Sequence, residues 1–146
     1  MRLIGERLYL DANTIIGLLE RSRPLRAAQS ALMAAIAGGE SFAVTSEIAV
    51  AECTTRPLRE MNETLVEDYL RFVDRQLSQP PISVDRRIAL AAARLRAATS
   101  MKLPDALHVA CAELAGCTVF VSADQRVRLP ASMRRVGFDD IGREAG

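Results

Sequence analysis

Short apolar runs separated by helix-length segments dominate this sequence. The runs are Arg7 to Leu10, Phe42 to Thr45 and Thr118 to Val121, with a last extended piece from Arg134 to Val136. A buried strand of a parallel sheet reads as a continuous apolar run, and a parallel neighbour can be reached only through a crossover, usually a helix. The alternation therefore predicts an α/β fold with a central parallel sheet covered by helices on both faces. Ligands in such sheets bind beyond the carboxyl ends of the strands.

The connecting segments support this order. Leu10 leads into Asp11 and the polar break Ala12-Asn13-Thr14, then into the apolar Ile15, Ile16, Leu18 and Leu19, which predicts a strand, a turn and a helix. Pro24 is placed to open a second helix that continues through the Ala-rich run Arg26 to Ala37 and stops at Gly38-Gly39. Ser46 is a good N-cap for a third helix running towards Pro57. From Met61 to Leu77 the residues Leu65, Tyr69, Phe72, Val73 and Leu77 recur at helical spacing, which predicts one amphipathic helix. Pro80-Pro81 ends that pattern, and Asp85 can cap a helix reaching about Thr99. Pro104 marks the first turn of another helix that ends at Gly116.

With 146 residues and neither repeat nor linker, the chain is expected to form a single domain over 1–146. The net charge of +1 gives no overall attraction to nucleic acid, and the predominance of Arg, with Lys102 the only lysine, follows the codon bias of a GC-rich genome. Cys53, Cys111 and Cys117 are odd in number and lack the paired spacing of a zinc or redox motif, so they read as buried thiols of a reducing cytoplasm. No stretch stays uncharged long enough to cross a bilayer.

Against this scaffold four acids fall near one sheet edge. Asp11 and Asp124 follow the first and the Thr118 strands directly, Glu52 lies about two turns into the third helix, and Asp105 lies in the first turn of the helix opened by Pro104. Carboxylates drawn together in this way repel at roughly 3 kcal/mol per pair at about 5 Å. A divalent cation reverses the sign, and oxygen ligands without His or Cys select Mg²⁺ or Mn²⁺ over Zn²⁺. Taken singly, Asp105 has a plain reading as a helix-end charge, Glu52 as a solvated helix residue and Asp124 as a turn former, whereas Asp11, directly after the apolar run Leu8 to Leu10 with Asn13 close behind, sits where ligands bind; the expectation rests on the set.

The same residues resemble a known family. Leu8-Tyr9-Leu10-Asp11-Ala12-Asn13-Thr14-Ile15-Ile16 is similar to the opening motif of PIN domains, particularly the VapC toxins of bacterial toxin–antitoxin pairs. Thr45 to Glu52 resembles the helix that carries the family's Glu, Leu103 to Ala110 its third acidic motif, and Val121-Ser122-Ala123-Asp124 its fourth. The resemblance spans about Leu8 to Val136. Ser122 stands where Thr is frequent, and Val127 where an aromatic is common.

The resemblance implies a PIN-like three-layer α/β/α sandwich and Mg²⁺- or Mn²⁺-dependent endonucleolytic cleavage of RNA. It assigns metal binding and catalysis to Asp11, Glu52, Asp105 and Asp124, with Asn13, Ser46 and Ser122 as orienting neighbours. It further implies a VapB-like antitoxin as partner and a homodimer or larger toxin–antitoxin assembly. Whether Glu52 binds the metal or accepts the proton of the attacking water stays open, as does the choice between one metal ion and two. Arg94, Arg96, Lys102 and Arg126 flank the acidic edge and read equally as contacts to RNA phosphates or as a solvated face. His108, alone on an Ala- and Leu-rich helix, reads as a packed residue. A non-catalytic PIN fold that binds RNA or protein is the alternative. A phosphotransfer domain is disfavoured, because Asn13 replaces the second Asp that a phosphatase of the haloacid dehalogenase type needs, and Lys102 precedes a helix where a receiver has lysine on a late strand.

Overall fold

The computed structural model describes Leu3 and residues 5–141. Four parallel strands, β1 (Arg7–Leu10), β2 (Phe42–Val44), β3 (Val119–Val121) and β4 (Arg134–Val136), form a sheet in the order β2-β1-β3-β4. In register, Leu8 lies between Ala43 and Val119, and Tyr9 between Val44 and Phe120.

The strand pleat divides the interior into two cores. Leu8, Leu10, Ala43, Val119, Val121 and Val136 face one side, where they pack with α1 (Ala12–Leu19), α2 (Ala27–Ala37), α3 (Glu47–Arg59) and α4 (Glu63–Arg71). Tyr9, Val44 and Phe120 face the other side, against α5 (Arg86–Ala98) and α6 (Leu103–Leu114). Both faces of the central strands are thus covered, which explains their unbroken apolar composition. The fold is the expected three-layer α/β/α arrangement.

Several boundaries differ from the sequence reading for local reasons. No separate turn follows β1, because Asp11 is itself the N-cap of α1 and its Oδ1 accepts the Thr14 N–H at 2.9 Å. The second helix starts at Ala27 and not at Pro24, since Gln29 Oε1 takes the Arg26 N–H at 2.9 Å and Gln29 Nε2 donates to the Phe138 carbonyl at 2.8 Å, fixing the first turn there. The single helix expected over Met61 to Leu77 begins at Glu63, after a left-handed Met61 (φ 57°) and an Asn62 cap, and its final turn, Phe72–Gln76, widens to π geometry. Asp85 caps α5 as expected, accepting from the Ile88 N–H at 3.1 Å.

Ser46 precedes α3 but does not cap it with its side chain. The first α3 amide, Glu47 N–H, donates to the Ile82 carbonyl at 2.9 Å, and Ile82 N–H returns a bond to Thr45 at 3.0 Å. That bridge partly occupies the outer side of β2 and leaves the Ser46 hydroxyl for another partner. The three cysteines are free and buried. Among the described residues, no helix is long and apolar enough to cross a membrane.

Candidate metal and nucleic-acid site

The carboxyl ends of β2, β1 and β3 are tied together by side chains that follow β2 and β1. Thr45 Oγ1 donates to the Leu10 carbonyl at 2.7 Å, and Thr14 Oγ1 to the Val121 carbonyl at 2.9 Å. The Asp11 N–H also donates to Val121 at 3.3 Å, so the start of α1 is pinned across both strands. Asp11 is thereby held at the sheet edge, nearly buried, with Oδ1 committed to its own helix and Oδ2 open to further bonding.

Asp11, Asn13, Glu52, Asp105 and His108 line one cavity of about 330 Å³, closed on its apolar side by Ala12 and Ile16. Three helices meet here: α1 supplies Asn13 just after its Asp11 cap, α3 supplies Glu52 and α6 supplies Asp105 and His108. Asp105 is half-buried, and no described residue donates a hydrogen bond to its carboxylate. Burial pushes its carboxyl above the usual range, and the charges of Asp124 and Glu52 push it further against the opposing pull of Arg126.

Asp124 does not line this cavity. Its Oδ1 accepts the Arg126 N–H at 2.9 Å and Arg126 Nε at 3.1 Å, and the Arg126 guanidinium holds its carboxyl below the usual range. Ser122 Oγ accepts the Asp124 N–H at 3.0 Å, which fixes the loop after β3. Asp124 is nevertheless near enough for its charge to act on Asp105.

A second cavity, about 230 Å³, lies on the other side of Asp105 and is lined by Lys102, Arg126 and Arg128 along with Ser100 and Met101. Asp105 therefore stands on a ridge between an acidic and a basic depression. Arg96 is elsewhere, on a third cavity with its Nε donating to the Met101 carbonyl at 3.3 Å, and the exposed Arg94 lines neither depression flanking Asp105.

Ser46 and His108 occupy positions the sequence did not reveal. Ser46 lies beneath the site, its Oγ 2.7 Å from Tyr9 Oη. His108 is 4% exposed, with Nδ1 2.6 Å from Tyr9 Oη and Nε2 2.5 Å from Glu52 Oε1. The spacing of three from Asp105 puts His108 on the same face of α6, and that was the available signal.

A comparison with family profiles matches the PIN domain over residues 8–132. The chain belongs to the PIN domain family. PIN domains are generally nucleases, which makes a hydrolase the coarse expectation for this member. Seven chains of solved structures match. One is a toxin-antitoxin complex from Klebsiella pneumoniae, with a TM-score of 0.64 and 21% identity over 90% of this chain and 97% of that one. At that identity the likeness concerns the fold. No curated protein matches the chain significantly.

PIN nucleases typically use divalent metals. Among the described residues, no three His, Cys, Asp or Glu side chains form a ready-made ligand group. The donor chemistry nonetheless fits such an ion. Asp11, Glu52 and Asp105 offer hard oxygens around one cavity, and Asp105 is stressed by burial and like charge without a donor to relieve it.

Proposed function

We propose that this PIN domain is a Mg²⁺- or Mn²⁺-dependent endoribonuclease, acting as the toxin of a VapBC-type toxin–antitoxin pair. The observation that carries the reading is the Asp105 ridge: a hydrogen-bond-free carboxylate shared by a cavity with Asp11 and Glu52 and one with Lys102, Arg126 and Arg128. An acidic depression suits a cation and the adjacent basic one suits the phosphates of an RNA backbone, so a phosphodiester can lie across the boundary.

In this reading Asp11 and Asp105 bind the ion, Glu52 binds it or takes the proton of the attacking water, and Asp124 completes the set once Arg126 exchanges its carboxylate for an RNA phosphate. The ion, when bound, supplies Lewis-acid activation of water and neutralises charge on the phosphoryl oxygens. Asn13 lines the acidic cavity and orients its mouth, while Ser122 holds the Asp124 loop and Ser46 supports the site from below through Tyr9. Lys102, Arg126 and Arg128 grip the RNA backbone. Arg94 and Arg96 stay on the solvated face.

A VapB-like antitoxin is proposed as the partner, in keeping with the toxin-antitoxin complex among the structural neighbours, and a homodimer as the unit it binds. The proposed setting is the cytoplasm, where the RNA target and the three reduced thiols are compatible. The test is cleavage of total cellular RNA by the purified, antitoxin-free protein in Mg²⁺ or Mn²⁺. Asp11→Asn and Asp105→Asn should each lower the cleavage rate at least 100-fold, on the order of 3 kcal/mol of barrier, and EDTA should abolish it. Cleavage undiminished in both variants would overturn the assignment.

A further inference from the structure

The acidic cavity is backed by a line of hydrogen-bonded side chains drawn from β1, α6, α3 and the residue that precedes α3. Ser46 Oγ meets Tyr9 Oη at 2.7 Å, Tyr9 Oη meets His108 Nδ1 at 2.6 Å, and His108 Nε2 meets Glu52 Oε1 at 2.5 Å. Ser46 and Tyr9 have no exposed surface and His108 is 4% exposed, whereas the Glu52 side chain is 41% exposed at the cavity. Tyr9 is itself fixed by stacking on Phe120 with ring centroids 5.2 Å apart. Three members come from different elements, so the line has no local role in capping a helix or closing a turn.

We propose that His108 is the positioning residue for Glu52, held as the Nε2–H tautomer by the Tyr9 hydroxyl so that one Glu52 oxygen is anchored and the other faces the metal cavity. The inference rests on the metal-dependent nuclease reading and adds to it the residues that orient its glutamate. The protonation pattern follows from the partners. An ionised carboxylate only accepts, so Nε2 carries the hydrogen that Glu52 receives. The remaining lone pair at Nδ1 takes the Tyr9 O–H, and the Tyr9 oxygen accepts from Ser46. Tyr9 and His108, the two inner members of the line, then each donate once and accept once. Without the line, Glu52 is a half-exposed side chain with three free torsions, and ordering it costs entropy whenever the cavity is filled. A histidine that a further group orients is also the arrangement by which outer partners fix metal ligands in general.

The chain has a single histidine, so selective ¹⁵N labelling reads one imidazole. The wild-type protein should show a protonated Nε2 and an accepting Nδ1, and Tyr9→Phe should shift the Nδ1 resonance; an Nδ1–H tautomer would overturn the proposal without reference to any metal. Mn²⁺ affinity, measured by calorimetry, supplies the second arm. His108→Leu should weaken it roughly tenfold or more, His108→Gln, whose amide N–H can reach the same oxygen, should restore most of it, and His108→Leu should add nothing in a Glu52→Gln background. Equal Mn²⁺ affinity in folded His108→Leu and wild type sinks the inference alone, whereas no Mn²⁺ uptake by wild type sinks the nuclease reading with it. Should His108→Leu fail to fold, the Gln variant and the wild-type tautomer decide.

Discussion

At the scale of single residues, Asp105 of the candidate site is placed at the expense of the fold. Its carboxyl is raised by burial first and by neighbouring negative charge second, so its ionised form opposes folding. The sign follows from linkage: the folded group binds its proton more tightly than the unfolded one, so the favourable contribution is complete below the unfolded carboxylate range near pH 3.9 and is lost as pH rises through the higher folded value. Asp105→Asn should therefore raise the Tm at pH 7 by on the order of 2 °C, and the gain should vanish below about pH 3.9. Thermal melts of both proteins across that range check it. Added Mn²⁺ should stabilise the wild type and leave the variant almost unmoved.

The same residue illustrates what the sequence made legible. Asp11 was visible because it directly follows an apolar strand at the sheet edge where ligands bind, although it also caps α1, and the other acids gained meaning only through their order along the fold. The pairing of Asp124 with Arg126 is a contact two residues apart that a turn allows but an apolar pattern does not encode. His108 was set aside as a packed residue for a different reason. Its value lies in two partners from β1 and α3, and no periodicity within α6 distinguishes a packed imidazole from one linking two elements.

At the scale of elements, helix starts that look alike in sequence are built differently. Asp85 and Ser46 are both suitable caps, yet Asp85 accepts the Ile88 amide while Ser46 gives its hydroxyl to Tyr9. Asp85→Ala should accordingly cost about 1 kcal/mol through the lost cap. Ser46→Ala should instead act through the Tyr9 hydroxyl, so that combining it with Tyr9→Phe costs clearly less than the sum of the two. Urea unfolding of these four variants separates the mechanisms, and additivity of the Ser46 and Tyr9 changes would contradict the bond between them. The helix at Met61 to Leu77 was predicted too long because its apolar spacing continues through both the Asn62 cap and the π turn at Phe72–Gln76. A pattern that repeats at roughly helical spacing does not register which hydrogen bonds close each turn.

At the scale of the whole molecule, the parallel sheet and the helical layers on both its faces followed from the alternation of apolar runs and helices, whereas the order β2-β1-β3-β4 depends on which strand edges pair and no apolar run encodes it. The two cores hold all three thiols: burial pushes Cys53 and Cys117 up to about 12 and Cys111 up to about 11. Native protein should thus leave 5,5′-dithiobis(2-nitrobenzoate) unconsumed at pH 8 and react at all three positions once unfolded in guanidinium. Rapid labelling without denaturant would show that one core opens more readily than the packing implies.

The central strand has a temporal consequence. β1 is made first, but its partner on one side is β3, with Leu8 paired to Val119, and Asp105 also arrives late. The ribosome must therefore pass α6 and β3 before the acidic cavity can exist, and at roughly 5–20 residues per second the growing chain carries Asp11 and Glu52 for several seconds without Asp105 beside them. The acidic cavity, in a protein of this topology, forms only after α6 and β3 have followed β1 out of the ribosome.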